Sequence, residues 1–465
     1  MKKLTTHKRI SLPFMLSLAA LLTGTSMASS FTDSREFKDW WNGKGLLRGS
    51  GENSARLGSG EPNPIFKARA DLEDQGVKFT GRYKAAYYGV ASGSKGSDNF
   101  WCDQLDLGIE LNPSRLLNLE ALDGIKLFAN VRYRDSHEGS RPNVVVEADS
   151  MFNPNHMDSG TRWRMNSFGF EYSTKELLPI KDLFTLRGGW IQPNREFLDQ
   201  PLSKLFLNNA IESSKGLGGN IQWSSSFSTW GGTLNFKPTD WLYVKNGFFL
   251  SYPSATRNSN RGLSFQGDAY RTSTNGVMYV AEAGITPKIT ADKLEGKYAF
   301  GFHATEVQTA KRASGSLVGE QHGFWVQADQ MLWREPSGEA GKLKKEGLSS
   351  FNVVSWADTD NQSNKFPFYF HSGLAYTGLL PSRDKDVLAI AFAYGLYNTE
   401  TYNGPGTTWT TYKNHTYTSV IEATYHYKIN GWSHFQPFVQ IIDNPKGDSR
   451  KSNATVIGFQ TGMTF

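Results

Sequence analysis

Apolar and polar residues alternate one by one along most of this 465-residue chain, and that periodicity constrains the fold more than any motif does. Successive side chains of a β-strand point to opposite faces, whereas a helix returns to the same face after three or four residues. Leu127, Ala129, Val131 and Tyr133 share one face against Asn130, Arg132 and Arg134 on the other. Phe184, Leu186 and Trp190 stand against Thr185, Arg187 and Gly189, and Tyr298, Phe300 and Phe302 against Gly301, His303 and Thr305. Phe324, Val326 and Ala328 oppose Trp325, Gln327 and Asp329, and Phe368, Phe370 and Leu374 oppose His371 and Gly373. Leu388, Ile390, Phe392 and Tyr394 alternate with small residues, and Ile421, Ala423, Tyr425 and Tyr427 with Glu422, Thr424 and His426. Thr455, Ile457, Phe459, Met463 and Phe465 complete the set against Gly458, Gln460 and Gly462. No segment of comparable strength has a 3.6-residue period, and turn clusters at 258–262, 337–341 and 403–406 punctuate the strands.

Composition narrows the class. Outside the N-terminus there is no apolar run of roughly 18 residues, which excludes a polytopic helical transporter. An aromatic content of 13% with 46 Gly and 18 Pro marks a folded, turn-rich chain. A net charge of +6 without a long basic block gives no footprint for nucleic acid. The lone Cys102 leaves neither a disulfide framework nor a multi-cysteine zinc site. Lys2, Lys3, Lys8 and Arg9, a short apolar stretch over 10–22, and Ser26-Met27-Ala28 make a secretory signal peptide over 1–28. The mature chain is expected to begin at Ser29, with a polar, Gly-rich N-terminal segment over 29–71 and an outer-membrane β-barrel over 72–465.

Two all-β architectures produce such alternation, a soluble sandwich and a transmembrane barrel. The export signal favours the barrel, as do aromatic residues at strand ends beside turns, namely Tyr133, Tyr172, Trp190, Trp241, Tyr252, Trp333, Tyr394 and Tyr427. A chain ending on the alternating strand at Phe465 fits too. The expected fold is therefore an all-β, transmembrane antiparallel β-barrel of about sixteen strands of roughly 10 residues, with lumen-constricting loops.

Within that architecture the chain resembles the OprB-type carbohydrate-selective porins of Gram-negative outer membranes. The resemblance is carried by 72–77 (Leu-Glu-Asp-Gln-Gly-Val), by 188–194 (Gly-Gly-Trp-Ile-Gln-Pro-Asn) with Pro201-Leu202, and by 323–330 (Gly-Phe-Trp-Val-Gln-Ala-Asp-Gln) with Arg334-Glu335-Pro336. It continues through 373–386 (Gly-Leu-Ala-Tyr-Thr-Gly-Leu-Leu-Pro-Ser-Arg-Asp-Lys-Asp), Glu422, Tyr425, 436–440 (Gln-Pro-Phe-Val-Gln), Asn444-Pro445, Asn453-Ala454 and Phe465. One departure is at the start: Asp39-Trp40-Trp41-Asn42-Gly43 is separated from Leu72 by a Gly/Ser/Asn-rich stretch, whereas the family carries a comparable motif just before its first strand. The resemblance implies passive diffusion of monosaccharides such as glucose through a constriction of arginines and acids, without catalysis or a cofactor.

The residues supply candidates for that constriction. Arg132 and Arg134 lie on the inward face of a well-phased strand, with Asp135 and Glu138 following at its end. Guanidinium forks donate to vicinal hydroxyls and carboxylates accept from them; plain charge balance across the lumen explains the same residues. Arg195 and Glu196, with Asn194 and Asp199, follow the strand at Trp190 and either fold into the pore or decorate the cell surface. Arg162 and Arg164 share parity with Phe168 and Phe170, which requires a bulge or a turn between them and leaves open which face the arginines occupy. Trp325 and Trp333 either stack on a pyranose or serve in packing and girdle roles. No metalloprotease, nucleophile-elbow or Walker motif occurs, and His303, His371 and His426 are single polar positions on separate strands. The expected partners are mono- or oligosaccharides and outer-membrane lipid with lipopolysaccharide. A monomer and a homotrimer are both compatible, as are the alternatives of a general or anion-preferring porin and a barrel with adhesion or receptor loops.

Overall fold

The computed structural model describes residues 64–93, 99–136, 152–157, 162–174, 182–212, 228–251, 276–290, 293–305, 309–310, 317–318, 321–337, 343–358, 366–398 and 416–464. The predicted leader, nearly all of the 29–71 segment, Glu138, Tyr252 and Phe465 lie outside the described residues. Two units are distinguishable: residues 1–74 with 430–432, and residues 75–429 with 433–465. In the first, Pro64–Asp74 form a helix, with proline where a missing N–H costs least. Leu72, Glu73 and Asp74 therefore end a helix rather than enter the first strand.

The second unit is a sheet. Its strands are β1 (Val77–Ser92), β2 (Asn99–Leu111), β3 (Ile125–Ser136), β4 (Arg162–Ser173), β5 (Phe184–Ile191) and β6 (Thr229–Thr239). Next come β7 (Leu242–Ser251), β8 (Gly276–Ile285), β9 (Leu294–Thr305), β10 (Gln321–Arg334) and β11 (Gly347–Ala357). The last five are β12 (Phe368–Thr377), β13 (Val387–Leu396), β14 (Tyr417–Lys428), β15 (Ser433–Asp443) and β16 (Ala454–Thr464). Each strand pairs antiparallel with its sequence neighbours, and β1 pairs with β16 from Arg82↔Thr464 to Val90↔Val456. The result is a closed sixteen-stranded antiparallel barrel, in which no ladder is left with an open edge.

The alternation now has a direction. Leu107, Leu127, Phe300, Phe324, Ile390, Ile421 and Ile457 are exposed on the outer face, while Gln104, Asp106, Arg132, Gln327, Glu422 and Gln440 are buried inside. A water-soluble protein arranges these classes the other way round. An apolar exterior around a polar interior suits hydrocarbon outside and water within, so the strands span a membrane.

Two bulges set which side chains reach the lumen. Opposite Asn130 and Val131, β4 presents Ser167 and Met165, so Asn166 is the extra residue. This is the parity change that the sequence required between Arg164 and Phe168, and it pairs Arg164 with the inward Arg132. In β10 the register shifts between Met331 and Trp333. Trp333 is thereby turned outward, exposed and 6.1 Å from the Tyr376 ring, and is a rim aromatic rather than a lumen residue.

The lumen is not an open tube. Phe152, Met157, Phe206, Leu207, Ala210 and Ile211 pack against inward Ala86, Tyr88, Phe100, Cys102, Phe351, Tyr369, Val420 and Phe438 to form a buried apolar cluster. Ala389, Ala391 and Ala393 of β13 belong to it, and their small side chains leave room for the inserted segments.

Candidate functional site

The inserted segment that shapes the lumen follows β5. Gln192 is extended, Pro193 opens a single helical turn over Pro193–Glu196, and the chain then crosses the barrel to a second turn at Asn209–Glu212. Polar side chains on seven strands hold it. Lys245 Nζ donates to the Glu196 carbonyl at 2.6 Å, and Glu282 accepts from the Leu198 amide at 2.8 Å. Lys297 Nζ and Gln327 Nε2 donate to the Asp199 carbonyl at 2.6 and 3.2 Å, and Asp329 accepts from Gln200 Nε2 at 2.6 Å. Further along, Tyr369 donates to the Ala210 carbonyl and Gln436 to the Leu205 carbonyl. Glu422 accepts from the Leu207 and Asn208 amides, each at 2.8 Å, and Gln440 Oε1 accepts from Asn208 Nδ2 at 3.0 Å. Each strand interior thus spends a polar residue satisfying loop backbone that has no ladder of its own.

The loop fills the lumen towards β7–β15 and leaves water space against β1–β5. Two cavities lie there, of about 410 and 370 Å³. They share Arg82, Arg132, Ser167, Arg187 and Arg195, which form a waist between them. Register explains the wall: Arg82 pairs with Asp106 and Asp106 with Arg132 across β1–β3, while Lys84, Gln104 and Arg134 form the next inward row. Asp106 binds Arg82 at 2.8 Å and Arg132 at 2.5 Å, and accepts from Gln104 Nε2 at 2.7 Å. Arg134 Nε donates to Gln104 Oε1 at 2.8 Å. Below, Glu171 binds Lys126 at 2.9 Å and Arg187 at 3.4 Å. Across the waist Arg187 also reaches Glu196 at 3.4 Å, and its guanidinium lies 4.2 Å from the Phe128 ring.

Charge in this space is lopsided. The larger cavity is lined by seven cations, Arg82, Lys84, Arg132, Arg134, Arg187, Arg195 and Lys204, and three carboxylates, Glu196, Asp199 and Glu212. On the loop, desolvation inside the barrel together with the charges of Arg132 and Arg82 lowers the Arg195 pKa to about 10. Burial raises the Glu196 carboxyl, against the pull of Arg187 and Lys245.

The sequence candidates fall in different places. Arg132, Arg134, Arg195 and Glu196 all line the larger cavity, so the charged stretch after Trp190 turns into the pore and not to the cell surface. Asp135 does not join them: odd-numbered residues at this end of β3 face outward, and Asp135 pairs with outward Asp103. Its position at the strand's end concealed a parity opposite to that of Arg134. Glu138 lies outside the described residues. Trp325 is inward but fully buried, packed with Ile191, Phe197, Leu198 and Val280 beneath the loop, so its ring offers no face to a solute. It fits because Gly301 opposes it; a Cβ there would fall 1.9 Å from the indole. Arg82, Lys84, Asp106, Phe128 and Arg187 are further functional candidates that no motif marks. Their signal was parity alone: Arg82 and Lys84 flank Tyr83, Asp106 sits between Leu105 and Leu107, and Phe128 is in phase with Arg132.

A closed sixteen-stranded barrel with an apolar exterior and a loop folded into a charged, water-accessible lumen defines the porin class of outer-membrane protein. The family model of the carbohydrate-selective porins, OprB family, matches residues 136–465, and the chain belongs to that family. It is 25% identical to Porin B of Pseudomonas aeruginosa over 277 residues, covering 53% of this chain and 57% of that protein. The chain thus spans somewhat over half the length of that relative. The high-pH structure of Pseudomonas putida OprB superposes with a TM-score of 0.71 at 21% identity, covering 86% of this chain and 96% of that one. The low-pH structure of the same protein gives 0.52 at 17% identity, with 86% and 95% covered. At these identities the structural likeness is one of fold.

Proposed function

We propose that the protein is a passive outer-membrane channel for small carbohydrates, with Arg82, Asp106, Arg132, Arg134 and Arg195 as the groups a sugar meets at the waist. The observation that carries this reading is the loop held across the lumen by side chains of seven strands, which confines the water path to one arginine-rich wall. Diffusion through such a path is screened by width, hydrogen-bonding groups and field rather than by bond chemistry. Guanidinium groups held by Asp106 and Gln104 present their remaining N–H groups in a fixed geometry, and preorganised donors lose little entropy on meeting hydroxyls. Outer-membrane lipid and lipopolysaccharide would solvate the apolar exterior.

Reconstituted protein in planar bilayers, titrated with glucose, maltose and a non-sugar polyol of similar size, tests the reading. The expected result is sugar-dependent reduction of single-channel current, weakened by Arg132→Ala. Open-channel current indifferent to every sugar would refute carbohydrate recognition.

A further inference from the structure

The carboxylates Asp106, Glu196 and Asp199 beside the waist are already engaged by cations, whereas two cations of the larger cavity are not engaged by any carboxylate of the described residues. A neutral sugar hydroxyl both donates and accepts, so a site built for neutral sugars needs open carboxylate or carbonyl oxygens beside its arginines. Here Asp106 takes three donors and Gln104 Oε1 is engaged by Arg134. Glu196 faces Arg187 at 3.4 Å and Asp199 faces Lys204 at 2.5 Å. Among the described residues Lys84 and Arg195 have no ion pair, and both line the larger cavity with Arg134. Each carries hydrogen-bond donors and no acceptor.

We propose, resting on the carbohydrate-channel reading, that the preferred solutes are monosaccharides bearing an anionic group, a carboxylate or a phosphate, whose charge is received between Lys84 and Arg195 while the ring hydroxyls pass the Arg82–Asp106–Arg132 row. An anion supplies a charged acceptor to cations that no carboxylate of this wall pairs, and charge-assisted hydrogen bonds to guanidinium are about twice as strong as neutral ones. It also offsets the charges of Arg132 and Arg82, which after burial are the next causes holding the Arg195 pKa down. Both groups stand beside the water path with no strand backbone depending on them, so exchange of solute need not disturb the barrel.

The test is flux into proteoliposomes containing the full mature chain, with glucose, glucuronate, glucose 6-phosphate and lactate compared at equal concentration and no membrane potential. The expected outcome is glucuronate or glucose 6-phosphate entering at least fivefold faster than glucose. That preference should fall threefold or more in both Arg195→Gln and Lys84→Gln. A higher rate for glucuronate assigns the site to sugar acids, and a higher rate for glucose 6-phosphate to sugar phosphates. Glucose entering as fast as either anionic sugar overturns the inference and leaves the carbohydrate channel standing. Lactate entering while all three sugars are excluded overturns both. The wild-type comparison decides the matter even where one variant assembles poorly, and the second variant then carries the residue assignment.

Discussion

Replacing Glu422 by Gln separates the loop from the barrel that holds it. Glu422 Oε1 accepts from the Leu207 amide, and Oε2 accepts from the Asn208 amide and from Gln440 Nε2 at 2.8 and 3.1 Å. A glutamine that keeps its carbonyl oxygen on the Asn208 and Gln440 donors turns its NH₂ group towards the buried Leu207 amide, which loses its acceptor. Leaving one buried donor unpaired costs about 1–3 kcal/mol, so docking of the 205–210 segment weakens by about 2 kcal/mol, or roughly 30-fold in its closed-to-open ratio. The ladders β13–β14 and β14–β15 make their hydrogen bonds through backbone and should be unaffected. Amide hydrogen exchange in detergent or nanodiscs reads both quantities. Glu422→Gln should lower protection at Leu205, Leu207, Asn208 and Ala210 by about 30-fold while β13–β15 amides keep theirs, with added open-channel noise in bilayers. Unchanged protection at Leu207 and Asn208, or an equal loss throughout the barrel, would refute the anchoring argument.

Other perturbations have equally definite outcomes. Gly301→Ala puts a methyl group within 2.0 Å of two indole atoms of Trp325, at a cost of about 1–3 kcal/mol; tryptophan fluorescence should shift, and Trp325→Leu in the same chain should restore thermal stability. Absence of any coupling in that double-mutant cycle would sink the packing account. Phe128→Ala removes the ring under Arg187, 4.2 Å from its guanidinium, and opens the smaller cavity; single-channel conductance should rise, and an unaltered value would place Phe128 outside the path. At the turn before β13, Arg383 binds Asp386 through two hydrogen bonds of 2.7 and 2.8 Å, and Tyr425 and the Lys428 amide also donate to it. Burial opposes ionisation of Asp386, but those hydrogen bonds outweigh it and its pKa lies below the usual carboxylate value. A depressed carboxylate contributes stability that is complete above an unfolded pKa of about 3.9 and is lost as pH falls through the folded value. Acid unfolding midpoints should therefore show wild type losing its advantage over Asp386→Asn below pH about 4, whereas an advantage independent of pH would contradict the linkage.

Period-two alternation made the barrel legible because every strand has one face in hydrocarbon and one in polar surroundings, and that difference repeats at every second residue. It also required a bulge or a turn between Arg164 and Phe168, and the bulge at Asn166 in β4 supplies it. The same rule misled at Trp333, where the bulge in β10 leaves no trace in composition, and would have rejected Asp135, which shares parity with Val131 and Tyr133. The waist was only partly legible because strand pairing, and not sequence separation, brings Arg82, Asp106 and Arg132 into one row. The direction of the segment after β5 was illegible, since a charged loop looks the same whether it faces a lumen or the cell surface. Its fate is decided by partners far along the chain. Gln327, Asp329, Glu422, Gln436 and Gln440, scattered through the segments by which the chain resembles its family, converge on backbone and side-chain groups of 199–208. Those five positions of the scattered resemblance are therefore one feature seen in pieces, the seat of a single loop. The residues proposed to meet a solute are chiefly others, on β1–β5 and the loop itself. The wall proposed to meet a solute includes Arg82, Lys84 and Asp106, which lie outside the segments that carry the resemblance.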